Sequence, residues 1–161
     1  MNGLPNFAAA PVAALEAEAA AYGALLGLLR VEQQALVAAD AAAVQAALVD
    51  KSRQVDLLMQ AGHRRVDALR RSGFAPDASG MAAWLADPAR EPQLRPLWAE
   101  ITRLAEEARA QNAINGRLIA TQQRHWDRAL ASLWQAAGMT TTYGADGRTQ
   151  TRPPPRSYAA T

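Results

Sequence analysis

The chain has 161 residues, half of them apolar, a formal net charge of +2 and no cysteine. That length suits one domain, and the missing thiols exclude disulfides and thiolate chemistry. Alanine supplies much of the apolar fraction; it favours helix and buries little area, which suits long thin helices better than a thick core.

The N-terminus, Met1 to Pro11, lacks the basic start and apolar stretch of a signal peptide. No apolar run is expected to reach the ~20 residues that span a bilayer. Together these place the protein in the cytoplasm, without stable membrane insertion. From Val12 to Ala39 apolar residues recur at Leu15, Tyr22, Leu29 and Leu36, with Leu25 and Leu26 between. The seven-residue spacing, filled by steps of three and four, predicts a helix over about 11–39. Asp40 is either the N-cap of a second helix or a polar residue at a bend. The next stripe, Val44, Leu48, Val55, Leu58, Gly62, Val66 and Leu69, predicts a helix over about 41–72, ended by Ser72-Gly73. Arg64, Arg65, Arg70 and Arg71 sit among Asp56 and Asp67 and read as a solvated helix face.

Between Phe74 and Pro96 four prolines interrupt the pattern, and Met81, Trp84 and Leu85 mark one short helix over about 79–86. A third long stripe then runs Leu94, Trp98, Ile101, Ala105, Ala108, Asn112, Asn115, Ile119, Gln122, Trp126, Leu130, Leu133. It predicts a helix over about 94–136, roughly 60 Å long at ~1.5 Å per residue, which needs antiparallel partners along its length. The expected fold is therefore all-α: an elongated antiparallel bundle of three long helices and one short one over residues 1–137, coiled-coil-like in its packing.

Residues 138–161 have Thr140–Thr142, glycines and a proline triplet but no helical period, and are expected to form a flexible tail. The tail holds Arg148, Arg152, Arg156 and one acid, Asp146, so it carries the whole net charge; the other 137 residues balance 14 basic against 14 acidic groups. A neutral body argues against a nucleic-acid binder, which needs a basic face with interleaved aromatics.

No catalytic constellation stands out. The single lysine, Lys51, lies in no phosphate loop, and His63 and His125 are far apart with no metal-ligand spacing. His125 reads as a surface residue beside a core Trp126. Glu106 and Glu107 are adjacent and so diverge around their helix. Neither an enzyme nor a cofactor or metal site is expected. Asn112, Asn115 and Gln122 interrupt the third stripe. Either they fix the register of a helical seam, or they meet a partner or another part of the chain through their amides. Tyr143 is a lone aromatic beside Gly144, Asp146 and Gly147, which carry turn chemistry; a Tyr there can anchor a short motif.

Two motifs carry a family resemblance. Asn112-Ala113-Ile114-Asn115-Gly116-Arg117-Leu118-Ile119 resembles the N-x-x-N-G-x-L-I signature in the last long helix of FlgN-type flagellar export chaperones. Tyr143-Gly144-Ala145-Asp146-Gly147-Arg148-Thr149 resembles the Y-G-x-D-G-x-T motif that follows it. Glu32, Asp40 and Lys51 also stand where the family has similar residues. The resemblance implies a cytoplasmic chaperone that binds the C-terminal regions of the hook–filament junction proteins FlgK and FlgL. It would keep them unassembled and bring them to the type III export gate, with no cofactor. The resemblance implies that the C-terminal part holds the client and that Tyr143 docks on the cytoplasmic domain of the gate protein FlhA. Helix-in-groove packing would use Asn112, Asn115, Leu118, Ile119, Trp126, Leu130, Leu133 and Trp134, with the tryptophans as anchors; the docking motif would be Tyr143, Gly144, Asp146 and Gly147. The competing expectation is a helical tether or oligomerising coiled coil without a client, since a second copy could cover the same stripe.

Overall fold

A computed structural model describes residues 9–86, 92, 94–137, 140–143 and 149–152. The elements in chain order are α1 (Ala9–Val37), α2 (Ala41–Arg71), α3 (Ala78–Ala86), α4 (Leu94–Ala136), β1 (Thr140–Tyr143) and β2 (Thr149–Arg152). Three long helices and one short one form a helical bundle, as the periodicities imply. The chain divides into two compact units, 1–116 and 117–161, so the division falls inside α4 rather than at the 137/138 boundary drawn from composition.

In the first unit α1 and α2 form an antiparallel hairpin. α1 stops because Ala39 adopts a left-handed conformation, φ 53°. This lets Asp40 N–H reach back to the carbonyl of Ala35 at 3.0 Å, satisfying an orphan carbonyl at the helix end. Asp40 then starts α2: its side chain accepts from the N–H of Ala43 at 3.0 Å. α2 ends in the same way at Gly73, φ 83°, with Phe74 N–H donating to the Leu69 carbonyl at 3.0 Å. Asp77 begins α3, accepting from Gly80 N–H at 2.9 Å and from the Ser79 hydroxyl at 2.7 Å. These bonds hold its carboxyl below the usual carboxylate range, the Gly80 amide contributing most. Gly80 is required by close approach, since a Cβ there would sit 1.9 Å from the carbonyl oxygen of Ala75.

The core of this unit gathers Leu15 of α1, Leu69 of α2, Met81 and Trp84 of α3, and Leu94 and Ile101 of α4. α3 thus closes one end of the bundle with a fully buried indole. Arg65 of α2 bonds Glu18 of α1 and lies over Trp98 of α4, while Glu32 further along α1 bonds Asn115 of α4. The first part of α4 therefore runs parallel to α1 and antiparallel to α2.

α1 over Pro11–Val37 is, by length and composition, apolar enough to cross a membrane. This corrects the expectation that no such stretch exists. Within the unit, Leu15, Leu26, Leu29 and Leu36 are buried and two glutamates share the covered face, which is how an amphipathic helix of a packed bundle reads.

In the second unit α4 continues to Ala136, and the expected tail contains a two-stranded antiparallel pairing, Thr140 opposite Arg152 through Tyr143 opposite Thr149. Thr-rich runs favour extended backbone. Residues 144–148 and 153–161 lie outside the described residues, and with them Gly144, Asp146 and Gly147 of the docking motif.

Candidate functional site

The first unit buries charge inside its helical seam. Glu32 is wholly buried, and Lys51 Nζ donates to its Oε1 at 2.5 Å. Asn115, 1% exposed, donates to Glu32 Oε2 and to the Leu29 carbonyl, each at 2.8 Å. Gln111 Nε2 donates to Asn115 Oδ1 at 3.1 Å. Every strong donor of the Asn115 amide is used, which makes burial tolerable. A second buried carboxylate, Glu18, accepts from Arg65 Nε at 2.6 Å, and the Arg65 guanidinium lies 5.2 Å from the Trp98 ring centroid. Fourteen residues, about four turns, separate both Glu18 from Glu32 and Lys51 from Arg65, so one antiparallel register satisfies both pairs.

Two expectations change here. Arg65 is not part of a solvated face: it is the cation that keeps Glu18 inside the seam. Arg64 and Arg71 remain exposed. Asn115 is not on an open binding face either, because its amide is consumed by α1. Asn112, three residues before it, is exposed.

Along α4 one face carries Leu94, Ile101, Leu104, Ala108 and Asn115, all buried. At 100° per residue the same face continues as Ile119, Trp126, Leu130 and Leu133, with Trp134 at its border. Those five are exposed, Trp126 to 69% and Leu133 to 64%. The seam is thus covered through Asn115 and open from Ile119 onward. Trp126 is not a core residue, contrary to the reading of His125 as flanking a core indole; both are exposed. Leu118 is half-buried on the flank of the stripe. Tyr143 is the last residue of β1, paired with Thr149. The expected client residues Ile119, Trp126, Leu130, Leu133 and Trp134 therefore share a face, while Asn115 belongs to the packed unit.

Among the described residues no group of three or more His, Cys, Asp or Glu could hold a metal ion. The buried carboxylates are committed to ion pairs inside the seam. A shallow groove lined by Ala82, Leu85, Trp98 and Arg95 gathers no acid–base pair, and Arg95 Nε is bonded to the Leu85 carbonyl at 2.7 Å.

Fold and surface together define a helical-bundle protein whose longest helix leaves part of its apolar seam open. The chain matches the FlgN protein family over residues 6–151, and it belongs to that family. It is also similar to a crystal structure of a protein assigned as a flagella synthesis protein FlgN from Pseudomonas aeruginosa. The two share 25% identity with a TM-score of 0.60, over 74% of this chain and 90% of that one. No curated protein matches the chain significantly.

Glu18 and Arg65 are the interior residues that periodicity missed. Their signal was present: two glutamates and two cations, each pair fourteen residues apart, beside stripes that are otherwise apolar.

Proposed function

We propose that this chain is a cytoplasmic chaperone of flagellar type III export. It would bind the C-terminal regions of hook–filament junction proteins of the FlgK and FlgL type, hold them unassembled and deliver them to the export gate. Family membership supports a role in flagellum synthesis. The observation that carries the binding surface is the open half of the α4 stripe. A client segment that forms an amphipathic helix would cover it by the helix-in-groove mode. Trp126 is the natural anchor, because large aromatics dominate such interfaces. The residues assigned to the client are Ile119, Trp126, Leu130, Leu133 and Trp134, with Asn112 and Leu118 at the margins. The Tyr143 motif is the proposed contact to the cytoplasmic domain of FlhA, on the strength of the family resemblance.

The direct test is co-purification of the full chain with the C-terminal segment of a junction protein from the same organism. A stable complex is expected. No complex at micromolar concentrations of both partners would overturn the proposal.

A further inference from the structure

We propose that Glu32, Lys51 and Asn115 form a register lock that holds α4 at one axial position against the α1–α2 hairpin. The seam around this cluster is chemically repetitive. On α4, Ile101, Leu104 and Ala108 are buried, and Ile101 shares a core cluster with Ala14 and Leu15 of α1. Such surfaces accept one another after a slide of one turn, because apolar packing tolerates exchange of similar side chains. A polar group buried in a helical seam does not, since it must find its partner or remain unsatisfied.

The cluster meets that requirement in the observed register. Glu32 is wholly buried, and its two oxygens are divided between Lys51 on α2 and Asn115 on α4, at 2.5 and 2.8 Å. Three helices therefore meet on one carboxylate. Asn115 also holds the Leu29 carbonyl. A slide of one turn would bring Ile119 into the place of Asn115 and leave Glu32 Oε2 and the Leu29 carbonyl facing a hydrocarbon. It would also draw the first residue of the open stripe into the seam. Position along α4 adds to the case: Asn115 is the last buried residue before the stripe opens, so the lock sets where covered seam ends and open surface begins. The second charged pair, Glu18 with Arg65, ties α1 to α2 and reaches α4 only through the Trp98 ring, a contact that constrains axial position less than a two-donor amide.

The chain has no cysteine, so labels can be placed at will. Spin labels at Q34C and R109C, both exposed positions of α1 and α4 in the first unit, would report the α1–α4 offset by dipolar distance measurement. The unaltered cluster is expected to give a single distance. The triple variant Glu32→Leu, Lys51→Leu, Asn115→Leu is expected to fold with undiminished stability, as apolar replacements of buried ion clusters often do. Its distribution should split or broaden by the ~5 Å of one helical turn. Asn115→Leu alone keeps the Lys51–Glu32 pair and guards against loss of folding; it should broaden the same distribution. A single unchanged distance in both variants would overturn the lock. A further consequence rests on the chaperone reading: a junction-protein segment should bind the triple variant at least threefold more weakly at equal stability. The distance measurement contains no client, so failure of the lock and failure of the chaperone reading are distinguishable.

Discussion

Glu18 and Glu32 lie inside a seam of leucine and alanine, and each tolerates burial because a cation from α2 reaches it. Removing one partner of such a pair leaves an uncompensated charge, which costs about 3 kcal/mol or more. Arg65→Met should lower stability in urea by about that amount, and Glu18→Leu with Arg65→Met should recover most of it. Equal losses in the single and double variants would refute the pairing. Ala39 gives a change of the opposite sign. Its left-handed backbone, φ 53°, costs a non-glycine residue roughly 1 kcal/mol, so Ala39→Gly should stabilise the chain by about that amount in the same assay. Asp77 supplies a pH dependence. Its carboxyl is held below the ordinary range by the Gly80 amide and the Ser79 hydroxyl. A depressed folded-state pKa means stability that is present above the unfolded value and lost as pH falls through the folded one. Acid unfolding of the α3 region should therefore shift to higher pH in Asp77→Ala, where the cap is already missing. These residues were unevenly legible. Asp40, standing between two stripes, reads either as a cap or as a polar residue at a bend, and its bond to the Ala43 N–H shows the cap. Arg65 was less legible, because a cation among other cations reads as solvated until the facing carboxylate is known.

The long helices were legible because each carries a three- and four-residue stripe, and α2 is followed by Gly73, a residue suited to stopping it. What the stripes could not reveal was which part of each is covered. Ile101 and Trp126 lie on the same face of α4, yet one is buried and the other is 69% exposed. Periodicity marks the face that wants cover, and only packing shows where cover ends. Asn115 left both of its readings open for the same reason, and its amide meets another part of the chain, α1, inside the seam. The strand pairing after Thr140 was missed because a four-residue Thr-rich run gives no period, and a two-stranded pairing is marginal by itself in water. At this scale the account predicts that Trp126→Ala leaves the melting temperature within about a degree, since the indole supports no core. The same change should weaken client binding about thirty-fold, the ~2 kcal/mol of a hot-spot residue. A thermal melt, and titration calorimetry with a junction-protein segment, read the two directions of failure: a large loss of stability, or unchanged affinity. Tyr143→Ala, by contrast, should reduce binding to the FlhA cytoplasmic domain and leave client affinity intact; equal loss of both would make the β1–β2 region part of the client site.

Taken whole, the molecule combines a packed unit, held by two buried ion pairs and an amide, with a second unit in which the longest helix continues with its stripe open. On the proposed reading, substitutions beyond Gly116 should alter binding, while those before it should alter folding. Hydrogen exchange along α4, with and without the C-terminal segment of a junction protein, tests this most directly. The account predicts that client binding slows exchange within residues 117–136 by at least tenfold and leaves 97–115 nearly unchanged, because that part of the seam is already covered. Protection confined to the first unit, with 117–136 exchanging as in the free protein, would contradict it.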